Sequence, residues 1–212
     1  MNAPDIFALN TPTIAVFFAL AIMSMMAVTV AFFKAFQFSR LGVGRTRGAE
    51  AILNDWLGGR ADVALQAASA RKSVLARVLQ AVFTGLRARP EDQSFAEELG
   101  RQTAIIELSA MTSRMRLLET VVQAAPMLGL LGTVIGMIDA FGTLSTAEGA
   151  VDPALLAGGI WTALTTTAAG LAIALVTFFV ATWLEGRIES ERQSIEAVIS
   201  AAINGRVDGT SG

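Results

Sequence analysis

Residues 126–141 read PMLGLLGTVIGMIDAF and set Gly129, Gly132 and Gly136 beside Thr133 in an almost unbroken apolar run. Two kinds of chemistry use glycine at that density. A phosphate-cradling loop needs a lysine to reach the phosphates and an adjoining Ser or Thr for magnesium. The chain has two lysines, Lys34 and Lys72, and neither is near. The other use is a stripe of small residues that lets two helix backbones approach closely in lipid, where apolar side chains gain little by meeting one another. Positions 129, 132 and 136 fall on one helical face. Pro126, which has no N–H, loosens or kinks the helix that carries them.

A second polar set lies in ALLAGGIWTALTTTAAGLAIALVTFFVATWL, residues 154–184. Thr162, Thr165 and Thr166 stand at i, i+3 and i+4 and share a face with Ala169 and Ile173. Buried threonines can hydrogen-bond to a carbonyl of their own helix or a neighbour and serve packing alone. They can also line an ion path between helices, the role that intramembrane polar groups favour. Spacing does not choose between these readings. No apolar run has a central carboxylate, so this chain does not itself provide a titratable carrier. Trp183 suits an interfacial anchor, and Trp161 is expected to be a packing or interface residue.

Composition narrows the remaining options. Of 212 residues, 53% are hydrophobic and 16% charged, with a mean hydropathy of +0.57, which points to a polytopic membrane protein. With no Cys and no His, the chain cannot build a thiolate or imidazole metal site, a Cys nucleophile or a Ser-His-Asp triad. We therefore expect no enzyme, no catalytic residues and no bound metal. A formal charge of -2 gives no sign of nucleic-acid binding.

The elements that must position the glycines and threonines are helices, and the expected class is all-α with three transmembrane spans and a helical cytoplasmic domain. Between Asp5 and Lys34 lie 28 uncharged residues, more than the roughly 20 a crossing helix needs. A cleaved signal peptide is disfavoured because the basic residues follow this run instead of preceding it. The organisation reads as an outer N-terminus 1–12, a first span 13–33, a cytoplasmic domain 34–118, a second span 119–140, an outer loop 141–153, a third span 154–184 and a cytoplasmic tail 185–212. The third uncharged run, 32 residues long, implies tilt or extension beyond the bilayer. All 16 Lys and Arg residues fall within 34–116 and 187–206, and the positive-inside rule then makes 34–118 and the C-terminus cytoplasmic. Within 34–118, breakers at Gly42/Gly44, Gly58-Gly59 and Pro90 predict helices at 48–57, 61–69 and 73–88. A longer helix then opens at PEDQSFAEEL with acids in its first turn. Ile105, Leu108, Met111, Met115, Leu118 and Val122 are expected to form its seam and carry it unbroken into the second span.

APMLGLLGTVIGMIDAF, followed after a short loop by AGGIWTALTTTAAGLAIAL, resembles the signature of the MotA/TolQ/ExbB proton channel family over 125–184. Three spans instead of four match its TolQ/ExbB branch. The resemblance implies a homopentamer in the bacterial inner membrane, with a periplasmic N-terminus and a cytoplasmic C-terminus. It further implies that the pentamer encloses the single transmembrane helices of an ExbD/TolR-like partner dimer, whose aspartate carries the ion. Proton motive force then drives work on a TonB- or TolA-like periplasm-spanning protein, with H+ as coupling ion and no cofactor. The family threonines that face the aspartate map onto Thr133 and Thr167. Where family members often have Glu, GIWTAL has Thr162, a departure that bears on a glutamate role in conduction and on the identity of the coupling ion. At about 100° per residue, Thr162 and Thr167 are roughly 140° apart and do not point at one partner helix. The alternative function is a non-conducting membrane scaffold that stabilises a partner protein.

Overall fold

A computed structural model describes residues 11–145 and 153–205, and the readings of the outer N-terminus, most of the outer loop and the last residues lie outside them. The described residues form seven α-helices and no strand: α1 Thr11–Leu41, α2 Arg47–Leu57, α3 Ala61–Ser69, α4 Val74–Ala88, α5 Gln93–Thr112, α6 Met115–Ser145 and α7 Pro153–Asn204. The class is all-α, and three helical stretches are long and apolar enough to cross a membrane. The described residues divide into two compact units, one from 11–32, 114–145 and 153–182, the other from 33–113 and 183–205.

The first unit contains the apolar part of α1, α6, and α7 as far as Thr182. On α1, Thr13, Val16, Leu20, Ala27 and Val30 are buried along one stripe, while Phe18, Met25, Val28 and Phe32 are exposed on the other faces. A helix apolar all round with only one stripe covered by protein suits a lipid-facing position. α6 buries Val121, Ala125, Gly129, Gly132, Gly136 and Ala140, a 4-4-3-4-4 spacing that keeps them on one side.

The second unit is built around α4, whose Val74, Leu75, Val78, Leu79, Val82 and Phe83 are at most 1% exposed. Ser73 caps its first turn by accepting from Ala76 N–H at 3.4 Å. Trp56 of α2 stacks on Phe83 at 4.1 Å between centroids. α4 and α5 approach closely through glycine: a Cβ at Gly85 would lie 2.7 Å from Ala96 Cα, and one at Gly100 would collide with Val82. Of the expected seam, Met111, Met115 and Leu118 are buried, Leu108 and Val122 are half-buried, and Ile105 departs from it. On α5 the buried face is Ala96, Gly100, Ala104 and Met111, whereas Ile105 is 67% exposed. Small residues won that face because only they permit the backbone approach α4 requires.

The helix start also differs in detail. Pro90 and Glu91 form the turn, and Asp92 is the cap itself, accepting from Phe95 N–H at 3.1 Å. More consequential, α5 does not run on into α6. Ser113 is extended, Arg114 sits at φ 67, and the helix restarts at Met115. The carbonyls this break leaves without helical partners are satisfied by side chains. Lys34 Nζ, fully buried, donates to Met111 O at 2.6 Å and Gln37 Nε2 to Ala110 O at 3.4 Å, while Ser113 Oγ also donates to Ala110 O at 2.8 Å. A lysine ammonium at a helix C-terminus is electrostatically favourable as well.

The end of α7 continues as helix to Asn204 and closes with Gly205 at φ 79. Arg187 and Glu191, one turn apart on it, clamp the loop after α1: Arg187 Nη2 donates to Val43 O at 3.2 Å, and Gly44 N–H donates to Glu191 Oε2 at 2.8 Å. Gly42 and Gly44 adopt φ 66 and 81 there, a backbone that disfavours any Cβ. Burial pushes the Glu191 carboxyl up, opposed by the Gly44 bond and the Arg187 charge.

Candidate functional site

The α6 glycines meet a matching stripe on α7. A Cβ at Gly129 would lie 2.9 Å from Thr166 O and Thr167 Cα, one at Gly136 would lie 2.8 Å from Ala163 Cβ, and one at Gly132 would collide with Thr166 Oγ1. From the other side, a Cβ at Gly170 would collide with Ala125 O and one at Gly159 would lie 2.8 Å from Ala140 Cβ. Gly159, Ala163, Thr166 and Gly170 thus oppose Ala140, Gly136, Gly132 and Gly129 with Ala125, in antiparallel order. Backbone-to-backbone packing of this kind replaces the hydrophobic driving force that lipid removes.

The threonines divide by what they bind. Thr166 is fully buried, and its Oγ1 lies 3.0 Å from Gly129 O and 2.6 Å from Ala163 O. Thr167, half-buried, donates to the same Gly129 O at 2.9 Å. Two hydroxyls of α7 therefore converge on one carbonyl of α6, one turn beyond Pro126. Thr133 donates to Leu130 O at 2.6 Å and Thr162 to Gly158 O at 3.0 Å, each within its own helix. Thr165 is exposed and donates to Trp161 O at 2.8 Å. No hydrogen bond joins Thr133 to Thr162 or Thr167 among the described residues. A hydroxyl that donates its proton keeps oxygen lone pairs, so those of Thr133, Thr162, Thr165 and Thr167, which are not fully buried, can still accept from an acid.

Thr133 also belongs to a shallow apolar groove on α6, formed with Val134, Met137, Ile138 and Phe141 and about 430 Å³ in volume. Val134 and Ile138 are 50% and 68% exposed in the single chain. Trp161, expected to be a packing or interface residue, is 74% exposed in the single chain and Trp183 56%. Among the described residues no group of acidic, His or Cys side chains could hold a metal ion.

Sequence reasoning grouped Thr166 with Thr162 and Thr165 but did not foresee that it alone of the three is fully buried against α6. The signal was available: small residues at 159, 163, 166 and 170 follow a 4-3-4 spacing, the same as 125, 129, 132 and 136. Lys34 and Glu191 were missed for another reason, since nothing in their neighbours along the chain announces a partner 77 or 147 positions away.

Residues 69–197 match the sequence profile described as the MotA/TolQ/ExbB proton channel family. A protein of Methanothermobacter thermautotrophicus named as a homolog of the biopolymer transport protein ExbB is 36% identical over 141 residues, 62% of this chain and 48% of that protein. An ExbB-like 1 protein of Synechocystis, also named for biopolymer transport, is 34% identical over 167 residues, 78% of this chain and 65% of its own. The biopolymer transport protein exbB1 of Vibrio cholerae is 46% identical over 63 residues, 30% and 28% of the two chains. The chain thus spans about half to two thirds of the length of the first two relatives. The profile takes in α6 and α7 as far as residue 197, with the converging threonines, and the chain belongs to the MotA/TolQ/ExbB proton channel family.

Proposed function

We propose that this protein is the channel and motor subunit of an ion-driven machine in a bacterial inner membrane, with its N-terminus periplasmic and its C-terminus cytoplasmic. In this reading several copies, five by family likeness, surround a dimer of an ExbD/TolR-like single-span protein. Proton motive force is converted into work on a TonB- or TolA-like protein. Family membership and ExbB-like relatives support the general role in biopolymer transport and proton conduction.

The observation that carries the finer reading is a division of labour within the α6–α7 pair. It presents hydroxyls at Thr133, Thr162 and Thr167 but no carboxylate within 120–138 or 153–184. A hydroxyl cannot release a proton near neutral pH, but it can accept from a protonated carboxyl and, after rotation, donate to the carboxylate. The ion carrier is then the partner's, and Thr133 and Thr167 solvate it in both states. Gly129, Gly132 and Gly136 hold α6 against α7 so that these hydroxyls keep their positions, and Pro126 leaves one carbonyl of α6 without a helical donor. The coupling ion is H+, and no cofactor enters the cycle.

The scaffold reading gains from one observation: Thr133 and Thr162 already spend their protons on their own helix. Proton uptake into liposomes separates the two. The motor reading expects flux only when chain and partner are co-reconstituted, and loss of flux in Thr133→Val and Thr167→Val complexes of unchanged size. Wild-type flux from both variants, or robust flux without a partner, defeats it; no flux from any intact complex favours the scaffold.

A further inference from the structure

A cleft of about 630 Å³ lies where the chain leaves α1, between the 42–48 loop and the 71–73 turn. Arg45, Arg47, Arg71 and Lys72 line it, and no acidic residue does. All four are exposed, and none forms a salt bridge among the described residues, although Arg60, Arg77, Arg87, Arg101 and Arg192 of the same unit all do. Like charges this close repel, and a fold that leaves them unneutralised gains when an anion binds. The backbone adds to the field. Thr46, at the N-terminus of α2, makes no capping bond with its side chain, so the first-turn N–H groups there have no side-chain acceptor. Arg71 is held against the start of α2, its Nη1 lying where a Cβ at Gly48 would be.

The height of the cleft follows from α7. Trp183, 56% exposed, is an aromatic of the kind that sits at the membrane–water interface, and Arg187, one turn further on, has its guanidinium 5.9 Å from that ring. Arg187 in turn binds Val43 O, inside the stretch that leads into the cleft. On α1 the exposed apolar surface ends with Phe36, 53% exposed, and Arg40 lies over its ring at 4.5 Å, a few residues before the cleft. The cationic cleft is therefore about one helical turn below the aromatic belt, which is headgroup depth.

We propose that this cleft binds the phosphate-bearing headgroup of an anionic phospholipid, such as phosphatidylglycerol, from the adjacent leaflet. Four cations and an uncapped helix start match a phosphate in charge and in hydrogen bonding, and the guanidinium forks of the arginines suit its paired oxygens. Free phosphate has the same chemistry. The lipid is favoured because the cleft opens at headgroup depth, where lipid phosphate is concentrated and the acyl chains can remain beside the exposed Phe36. The inference rests on α1 and α7 crossing the bilayer and not on proton conduction.

The test uses the full-length chain in neutral detergent, with retained lipid counted by native mass spectrometry after incubation with equal amounts of phosphatidylglycerol and phosphatidylcholine. Near a membrane surface each basic residue contributes about a fivefold factor, so Arg45→Gln/Arg71→Gln is expected to lower the preference for phosphatidylglycerol on the order of 25-fold. Arg45→Lys/Arg71→Lys, which keeps both charges, retains most of it, and the paired control Arg101→Gln/Arg192→Gln leaves it unchanged. If the Gln pair does not fold, Lys72→Gln alone is expected to lower the preference about fivefold. Equal retention of the two lipids by the wild type, or an equal loss in the control, overturns the proposal. Displacement of the lipid by an equal concentration of inorganic phosphate assigns the cleft to a soluble anion and overturns the lipid assignment.

Discussion

Replacing Gly132 by alanine adds one carbon where the structure has no room for it. That carbon would lie 2.7 Å from Thr166 Cβ and 3.0 Å from Cγ2, and against Oγ1. Carbon pairs are most favourable at about 3.5–4.0 Å, so α6 and α7 must separate by roughly half an ångström to one ångström. A gap of that size forfeits a quarter to a half of each dispersion well along the seam, and it stretches the bonds from Thr166 and Thr167 to Gly129. Overpacking of this kind costs about 1–3 kcal/mol. Thr166→Ala alone removes the hydroxyl bond, on average about 0.6 kcal/mol between membrane helices, and leaves a small void. In the double variant two of the three colliding atoms are gone, so the combined loss is smaller than the sum by at least about 1 kcal/mol. The assay is reversible unfolding of the full-length chain in mixed micelles, followed by helical circular dichroism as the denaturing detergent fraction rises. Losses that add within about 0.5 kcal/mol, or wild-type stability for Gly132→Ala, would refute the contact and with it the seam.

Four further outcomes follow from particular residues. Lys34→Met strands the Met111 carbonyl in a buried site, and unfolding in the same micelles is expected to register a loss of about 1–3 kcal/mol. Glu191 is an acid whose folded pKa is raised, so the folded state holds the extra proton between the ordinary carboxylate value and the raised one. Its contribution to stability is then present below that window and declines as pH rises through it; Glu191→Gln, which can still accept from Gly44, gains on the wild type across the window, and parallel pH profiles would contradict this. Thr133→Val and Thr167→Val should leave assembly intact while abolishing ion-dependent work, since valine keeps the shape but not the hydroxyl, as read by size-exclusion profile beside a cellular energy-transduction assay. Single cysteines at Thr143 and Ser69 are expected to label from opposite sides of the membrane, with labelling of both from one side contradicting the orientation.

Several features were legible because they depend on neighbours along the chain. Helices expected at 48–57, 61–69 and 73–88 appear as 47–57, 61–69 and 74–88, because glycine, proline and cap residues act locally. The all-α class and the three long apolar helices follow from uncharged runs, since each backbone group in lipid must be satisfied within its own segment. The family could be read from two blocks in order, 125–141 and 157–175. The long helix was misread at 113–114 because its hydrophobic repeat continues through the break.

The sequence by itself determined which stretches are helical, which could cross a bilayer, and that no carboxylate lies within 120–138 or 153–184. Those are matters of composition and spacing, and any fold of this chain would inherit them. Only tertiary structure decided that Ala96, Gly100 and Ala104 form the buried face of α5 in place of Ile105, because a face is chosen by how closely the opposing backbone comes. It also decided that Thr166 and Thr167 share the Gly129 carbonyl, and that Lys34 ends α5 from 77 positions away. A hydrogen bond needs its two atoms within about 3 Å, and for residues far apart in the chain that distance is set by packing, which pattern along the sequence does not encode.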